Sequence, residues 1–240
     1  MLQLLTDPLL SLVFPQQCSL CPSIVDRTED GIVCSACWST AKTFTGLETI
    51  CVKCGAFLSS SEPLFDVFCH ACSDHFYETA RAVAPYEGAF AKTILHLKNR
   101  PVLPARVADL VAWHFREHFI DETTLIVPVP LSRQRMRERG FNQAEVIAKA
   151  LAARTSLPTD GLSLIRRSHT AMHRAGMDTK ARQMSVKNAF EIKRPRRVAG
   201  HSILLVDDVL TSGATASACA KALKQKGADR VNVLTLARAG

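Results

Sequence analysis

Two adjacent acids followed by a hydroxyl-rich turn form the most informative chemical pattern in the chain. Asp207 and Asp208 follow an apolar run, and after a short spacer come Thr211, Ser212, Gly213, Ala214 and Thr215. Carboxylates suit the hydroxyl donors of a sugar and a bound Mg²⁺, whereas hydroxyls and free backbone N–H groups suit a phosphate. The pattern therefore predicts a site for a phosphorylated sugar.

The elements around this pattern support the same interpretation. The run 203–206 is continuously apolar, which is typical of a parallel strand covered by helices on both faces. A helix is expected over about 216–226, and its first turn offers unpaired N–H groups to an anion. Other phosphate loops fit poorly, because no Lys follows Gly213 and no second glycine precedes it at the required spacing.

Cysteine spacing is the second strong signal. Eight of the nine cysteines form four Cys-x-x-Cys pairs: Cys18 and Cys21, Cys34 and Cys37, Cys51 and Cys54, Cys69 and Cys72. This repeated spacing favours two structural zinc ions over disulfides. Neighbouring pairs or interleaved pairs both satisfy four-cysteine sites, so the pairing stays open. His70 and His75 are expected to be surface or packing residues, and Cys219 an ordinary buried thiol.

These cysteines define a first module over residues 1–75, and an α/β domain is expected over residues 76–240. The first module has few large apolar residues and should need its metal to fold. Its expected small core comprises Trp38, Phe44, Phe57, Phe65 and Phe68. Zinc ribbons commonly serve as protein docking faces or structural lids, so this module is expected to pack against or recruit a partner protein.

Charge divides along the same boundary. Residues 1–75 hold three basic and eight acidic side chains, a net of 3 − 8 = −5, and the remaining 27 − 14 = +13 recovers the overall +8. Eight thiolates holding two Zn²⁺ would lower the formal total to +8 − 8 + 4 = +4. The acidic module is therefore a poor candidate for binding nucleic acid, and the basic part is the better one.

An arginine-rich segment follows a second expected strand, at 125–129. Strands at 81–85 and 125–129 and helices at 89–97 and 102–118 precede it, and a helix is expected to run through about residue 153. Ligands of parallel sheets bind at the carboxyl edge of the strands, so these arginines are candidates to face a pyrophosphate. A solvated basic loop is the alternative. The arginines are Arg133, Arg135, Arg137 and Arg139.

A long polar and basic stretch, 166–182, lacks periodicity and leads to a strand candidate at 188–192. Such a segment in a compact domain is typical of a lid over a leaving group. Together with Arg137 and Arg139, its residues Arg174 and Arg182 are candidate pyrophosphate donors.

The stretch from Val206 to Thr215 resembles the phosphoribosyl-pyrophosphate signature of type I phosphoribosyltransferases. With the four cysteine pairs and the segment Arg-Gly-Phe-Asn-Gln-Ala at 139–144, the chain resembles the ComF family over about residues 18–238. That family joins a double zinc ribbon to a phosphoribosyltransferase-like domain and is linked to DNA uptake in natural competence. One departure falls in the lid, where His173 stands in place of the family's usual glutamine.

The resemblance implies a type I phosphoribosyltransferase-like parallel sheet with helices on both faces. It also implies that the hydroxyl loop takes the 5'-phosphate and that the acid pair takes the ribose 2'- and 3'-hydroxyls, with Mg²⁺ as cofactor. Asp207, Asp208 and Arg133 are the expected catalytic residues, and Leu131 and Ser132 join the ligand-binding set. Two functions remain open: a phosphoribosyltransferase or hydrolase, and a non-catalytic factor that binds single-stranded DNA or protein partners.

The chain is expected to be cytoplasmic. No run of about 18 apolar residues is present, so no membrane-spanning segment is predicted. The apolar start, residues 1–14, lacks the early basic residues and the cleavage pattern of a secretory signal.

Overall fold

Four parallel strands form the centre of the fold. A computed structural model describes residues 15–46, 48–58, 67–167 and 189–239. The central strands are β1 (Ala80–Pro85), β2 (Leu125–Pro128), β5 (Ser202–Leu210) and β6 (Arg230–Arg238). They lie side by side in the order β1-β6-β5-β2. The predicted α/β class with a parallel sheet is confirmed.

Six α-helices are present in the described residues. They are α1 (Ser35–Ser39), α2 (Gly88–Leu97), α3 (Ala105–Phe119), α4 (Arg133–Arg139), α5 (Gln143–Thr155) and α6 (Ala214–Lys224). Short 3-10 turns lie at Thr28–Asp30, His70–Cys72 and Pro195–Arg197. The predicted stripe of α2 is buried, with Phe90, Ile94 and Leu97 at 1% exposure or less.

The central strand β5 is longer than the apolar run predicts. Residues 203–206 are buried, but the strand continues through Asp207 and Asp208 to Leu210, pairing with β6 over its whole length. The acids therefore belong to the end of the strand and do not follow it. Helix α6 begins at Ala214, two residues earlier than expected, directly after Gly213.

The helix expected to run from the arginine segment to about residue 153 is two helices. Gly140 adopts a left-handed conformation (φ 77°) that ends α4, and Asn142 begins α5 by accepting a hydrogen bond from the Ala144 N–H. The strand predicted at 188–192 appears as β4 (Phe190–Ile192), which pairs antiparallel with β3 (Leu164–Arg166) in a separate sheet.

Each face of the central sheet has its own hydrophobic cluster, and each cluster includes one cysteine tetrad. Leu204 and Val206 of β5 face the cluster that contains Cys18, Cys34 and Trp38. Ile203 and Leu205 face the cluster that contains Cys51, Cys54, Cys72 and Tyr77. This alternation follows from strand geometry, since successive side chains point to opposite faces.

The expected core of the first module is only partly correct. Trp38 and Phe44 are buried, but Phe57 and Phe68 are 54% and 63% exposed. Phe65 lies outside the described residues. The first module does not form a separate core, because its cysteine-bearing segments pack against the sheet domain. The Trp38 ring, for example, lies 5.3 Å from that of Phe90 in α2.

No helix in the described part of the chain has the length and apolar character needed to cross a bilayer.

Candidate functional site

The acid pair lies at the carboxyl end of β5. Asp207 Oδ1 accepts a hydrogen bond of 2.9 Å from the Asp208 N–H. Burial, together with the neighbouring Asp208 carboxylate, raises the pKa of Asp207 to about 8, although Arg135 acts in the opposite direction. Within the described residues neither acid forms a salt bridge. Among the described residues no salt bridge neutralises this acid pair, and Asp207 instead retains a proton near neutral pH.

The hydroxyl loop between β5 and α6 presents its polar atoms to solvent. Thr211, Ser212 and Ala214 are exposed and Thr215 is half-buried, whereas Gly213 is buried. Gly213 has φ 76°, a left-handed conformation that favours glycine. This turn directs the first N–H groups of an 11-residue helix toward the loop, which is the arrangement that binds phosphate.

Strand β2 leads to the third part of the site. Its Pro128 is in register with Val206 of β5, so the segment after β2 emerges beside the acids. Leu131 and Ser132 are half-buried there, and Ser132 caps α4 by accepting from the Arg135 N–H at 3.2 Å. The influence of Arg135 on the pKa of Asp207 reflects this proximity.

Helix α4 distributes its arginines over two faces. Residues two apart lie about 200° apart around a helix, so Arg133 and Arg137 share one face and Arg135 and Arg139 the other. No residue of α4 is buried, and none of these arginines forms a salt bridge among the described residues. Arg139 lines a separate cavity of about 450 Å³ with Lys98 and Asn99.

Two of the predicted pyrophosphate donors, Arg174 and Arg182, lie outside the described residues.

The eight paired cysteines form two tetrads in sequence order. In each tetrad the four sulfur atoms lie within 4.8 Å of one another. The tetrads are Cys18, Cys21, Cys34 and Cys37, and Cys51, Cys54, Cys69 and Cys72. This arrangement selects neighbouring pairs over interleaved ones.

The tetrads fit zinc. The Cys18 sulfur accepts from the Leu20 and Cys34 N–H groups at 3.4 and 3.3 Å, and the Cys51 sulfur accepts from the Cys69 N–H at 3.3 Å. Burial opposes ionisation of Cys18 and Cys51, yet backbone N–H donors lower the pKa of each to about 6. Four sulfur donors around one point, some of them favoured as thiolates, suit tetrahedral Zn²⁺. The ninth cysteine, Cys219, is fully buried in α6, as expected.

The sequence predicted a surface or packing role for His75 and assigned none to Tyr77, and the structure shows both side chains covering the buried side of Gly213. A methyl group added at Gly213 would come 2.7 Å from the Tyr77 hydroxyl oxygen and 2.8 Å from His75 Cε1. The two side chains are joined by a 2.6 Å hydrogen bond between Tyr77 Oη and His75 Nδ1. Burial raises the pKa of Tyr77, so its phenol stays protonated. Their separation from Gly213 by more than 130 residues leaves no sequence signal for the contact.

Comparison with known proteins agrees with this arrangement. Residues 9–74 match the family model of the double zinc ribbon domain, and residues 96–240 match that of the phosphoribosyl transferase domain. Competence protein ComFC of Bacillus subtilis is 30% identical over 218 residues, covering 87% of this chain and 85% of the relative. The chain belongs to the ComF family.

Other relatives of this ComF-family chain align over different lengths. Competence protein F of Haemophilus influenzae is 34% identical over 125 residues, 52% of this chain, so the chain spans only 54% of that relative. DNA utilization protein YhgH of Escherichia coli O157:H7 is 28% identical over 235 residues, covering 95% of this chain and 99% of the relative. The predicted family is confirmed, as is the presence of a zinc ribbon and a phosphoribosyl transferase domain.

Proposed function

We propose that this protein binds phosphoribosyl pyrophosphate with Mg²⁺ at the carboxyl edge of β5 and β2, and that it acts in DNA uptake during natural competence. The competence role is supported by the names of its relatives, Competence protein F and Competence protein ComFC. The ligand is supported by the matched phosphoribosyl transferase domain and by the residues at the sheet edge.

One observation carries the proposal for the ligand. An acid pair that forms no salt bridge with any described residue, an exposed hydroxyl loop at a helix start and an arginine-bearing helix lie at adjacent strand ends. The loop of Thr211, Ser212, Gly213, Ala214 and Thr215 suits the 5'-phosphate, and the carboxylates of Asp207 and Asp208 suit the ribose hydroxyls. A ligand with a phosphate at one end and a sugar next to it matches this order.

Magnesium is part of the proposal because of the charge at the site. Asp207 and Asp208 supply the oxygen ligands that Mg²⁺ prefers, and the cation would offset the burial and the repulsion from Asp208 that together raise the pKa of Asp207. Bound Mg²⁺ would also supply charge neutralisation for a pyrophosphate group.

Leu131, Ser132 and Arg133 are proposed to hold the pyrophosphate. Arg133 lies at the start of α4, where the segment after β2 emerges beside Asp207, and its guanidinium suits phosphate oxygens. In a transfer reaction the bond from ribose C1' to the pyrophosphate oxygen breaks and a bond from C1' to an acceptor forms. Arg133, at the first turn of α4, and Arg135, whose charge opposes the rise in the pKa of Asp207, would stabilise the charge that develops on the departing pyrophosphate.

An acceptor base could stack on an exposed aromatic ring in the described part of the sheet domain. Phe115, Phe119 and Phe190 are all buried within the core. These three rings offer no open face on which an acceptor base could stack, whereas Phe141 is half-buried and Trp113 is exposed. We therefore propose binding of the phosphoribosyl ligand and assign no acceptor base.

Titration calorimetry tests whether the protein binds phosphoribosyl pyrophosphate. Wild-type protein should bind phosphoribosyl pyrophosphate in the presence of Mg²⁺, and Asp208→Asn should weaken binding at least about tenfold, because it removes a charged ligand group. Asp229→Asn is the matched control, since Asp229 is an exposed acid at the opposite, amino end of β6. Absence of heat with the wild-type protein, or equal binding by Asp208→Asn, would remove the proposal.

A second candidate function is supported by α4 itself. Its exposed arginines, with no salt-bridge partner among the described residues, suit the backbone of single-stranded DNA. Replacing Arg133, Arg135 and Arg137 by Gln should weaken DNA binding and make the dependence of log Kd on log salt shallower. Replacement of Arg194, Arg196 and Arg197 on the surface beyond β4 is the control of equal charge. Unchanged affinity and slope in the α4 variant would refute this role.

Docking of competence or DNA-processing proteins on the zinc ribbons stays a prediction.

A further inference from the structure

The second cysteine tetrad is followed directly by a segment that runs along helix α6. We call residues 75–78 the exit segment, because the chain leaves the tetrad through them and enters β1. His75 and Tyr77 cover Gly213, and the Phe76 N–H donates to Ser217 Oγ at 3.1 Å. The exit segment therefore contacts α6 where the hydroxyl loop becomes helical.

The contacts continue along the same side of α6. The ammonium of Lys221 lies 5.0 Å from the centre of the Phe76 ring, and Lys224 forms a 2.6 Å salt bridge with Glu78. The contacted positions of α6 are Gly213, Ser217, Lys221 and Lys224, which are spaced by four, four and three residues. Such spacing places them on one helix face, so the exit segment is docked over three turns.

The exit segment is in turn held by the second tetrad. It begins three residues after Cys72, and Lys53, between Cys51 and Cys54, donates to the Ser73 and His75 carbonyl oxygens at 3.3 and 2.8 Å. Arg238 at the end of β6 donates to the Cys54 carbonyl oxygen at 2.8 Å. The position of His75 and Tyr77 therefore depends on the fold of the segment that the four cysteines close.

The first tetrad makes none of these connections among the described residues. Its segment contacts α2 through Trp38 and α3 through a salt bridge between Asp30 and Arg106. Both contacts lie on the opposite face of the sheet from Tyr77. The two tetrads thus provide an internal comparison between a site that reaches the hydroxyl loop and a site that does not.

We propose that the second zinc site, acting through the hydrogen-bonded pair of His75 and Tyr77, holds the hydroxyl loop in the conformation that receives a phosphate. His75 and Tyr77 are positioning residues, because they cover the buried side of Gly213 while Thr211, Ser212 and Ala214 face solvent. This inference deepens the proposed function and rests on it where ligand affinity is concerned. Zinc at the second tetrad and ligand at the loop then favour the same conformation, and by linkage each strengthens binding of the other.

Hydrogen exchange of the loop amides tests the positioning directly, without ligand. In full-length, zinc-loaded protein, Tyr77→Phe should speed exchange of the 212–215 amides about five- to tenfold, because one buried hydrogen bond is lost. Cys69→Ser should speed it more, whereas Cys37→Ser, a half-buried cysteine of the first tetrad, should leave these amides unchanged. Equal exchange in Tyr77→Phe and wild type, or equal effects of the two cysteine variants, would overturn the proposal.

Ligand and zinc measurements complete the test. Tyr77→Phe should raise the Kd for phosphoribosyl pyrophosphate with Mg²⁺ about five- to tenfold. The ligand should slow zinc release to a chromogenic chelator from Cys37→Ser, which retains the second site, and not from Cys69→Ser, which retains the first. Ligand binding by the wild type that is neither weakened by Tyr77→Phe nor coupled to zinc release would refute the linkage.

The outcomes separate the two proposals. If the wild type binds no phosphoribosyl pyrophosphate while Tyr77→Phe and Cys69→Ser still loosen the loop amides, the proposed ligand is wrong and the positioning role stands. If the wild type binds the ligand and the loop amides exchange at the wild-type rate in both variants, the proposed ligand stands and the positioning role is wrong.

Discussion

At the scale of single residues, the site combines groups that are unfavourable for stability with groups that hold the backbone in place. Asp207 and Asp208 place two carboxyl groups at one strand end, and neither forms a salt bridge with a described residue. Gly213 has a left-handed backbone and is covered by two side chains. Unfavourable charge and close packing at one loop are typical of functional sites.

Asp207→Asn is expected to stabilise the protein at pH 8 and to have a smaller effect at pH 5. The pKa of Asp207 is raised from 3.8 to about 8, so the folded state retains a proton that the unfolded state releases. Stability from this group is therefore present at acid pH and is lost as the pH rises toward 8. The gain at pH 8, without Mg²⁺, should be about 1–3 kcal/mol in the free energy of unfolding.

Differential scanning calorimetry at pH 5 and pH 8 measures this difference. Asp229→Asn, at an exposed position, should change the free energy of unfolding by less than about 0.5 kcal/mol at either pH. A gain of the same size at both pH values for Asp207→Asn would contradict the assignment of the raised pKa.

Gly213→Ala is expected to cost more stability than Gly140→Ala. The two glycines have nearly equal φ angles of 76° and 77°, so the backbone penalty of about 1 kcal/mol is shared. Only at Gly213 does the new methyl group meet other atoms, those of His75 and Tyr77, since nothing lies within 4 Å at Gly140. The additional cost should be about 1–3 kcal/mol, measured by urea denaturation.

The contact with Tyr77 can be isolated in a double variant. Tyr77→Phe removes the oxygen that would lie 2.7 Å from a methyl group at Gly213, so the combined variant should lose less stability than the sum of the two single variants. Strict additivity would show that the clash does not involve the Tyr77 hydroxyl.

At the scale of elements, the site is assembled from the ends of β2 and β5 and the starts of α4 and α6. Helix α4 has no buried residue and is defined by its caps, Ser132 at the start and Gly140 at the end. Helix α6 is held by the exit segment, residues 75–78, through Ser217, Lys221 and Lys224. Helix α4 is therefore weakly attached to the rest of the fold, whereas α6, which carries the proposed phosphate-binding loop, is firmly attached.

Zinc content tests the cysteine segments as elements. The full chain should contain two zinc ions, one for each tetrad, measured by native mass spectrometry. Cys37→Ser and Cys69→Ser should each lose one ion, because each removes a ligand from a different tetrad. Cys219→Ala, at the ninth cysteine, should retain both. Loss of both ions from either single variant would argue for a shared site.

At the scale of the whole molecule, the zinc-binding segments are part of the hydrophobic core. Cysteines of the first tetrad share a cluster with Phe90 and Leu204, and those of the second share a cluster with Tyr77 and Leu205. The boundary expected at residue 75 therefore marks a change in amino-acid composition, whereas the hydrophobic clusters extend across it. Over the whole sequence, residues 1–75 carry a net charge of −5 and the remaining residues a net charge of +13.

Removal of zinc is expected to destabilise the whole chain. Because both clusters extend into the sheet, chelation should lower the melting temperature of the main calorimetric transition and not merely abolish a minor one. The loss should be on the order of several kcal/mol, as for other structural zinc sites. The chelator already saturated with Zn²⁺ is the control. A main transition that keeps its temperature after complete zinc removal would show that the sheet domain is independent of the tetrads.

The sequence by itself determined the features that depend on neighbours in the chain. Four Cys-x-x-Cys pairs, a buried apolar strand ending in two acids and a hydroxyl-rich turn are local patterns, and each predicted its element or ligand type. Local patterns were less accurate where the chain turns, as at Gly140 and Asn142, because one long helical periodicity was divided by a left-handed residue and a cap.

Only the tertiary structure decided which tetrad lies beside the hydroxyl loop and which cysteine pairs combine. It also decided that Phe57 and Phe68 are exposed and that Tyr77 is buried against Gly213. The physical reason is that these facts depend on packing between segments far apart in the chain. A single sequence records which residues prefer burial, and the fold determines which surfaces are available to bury them.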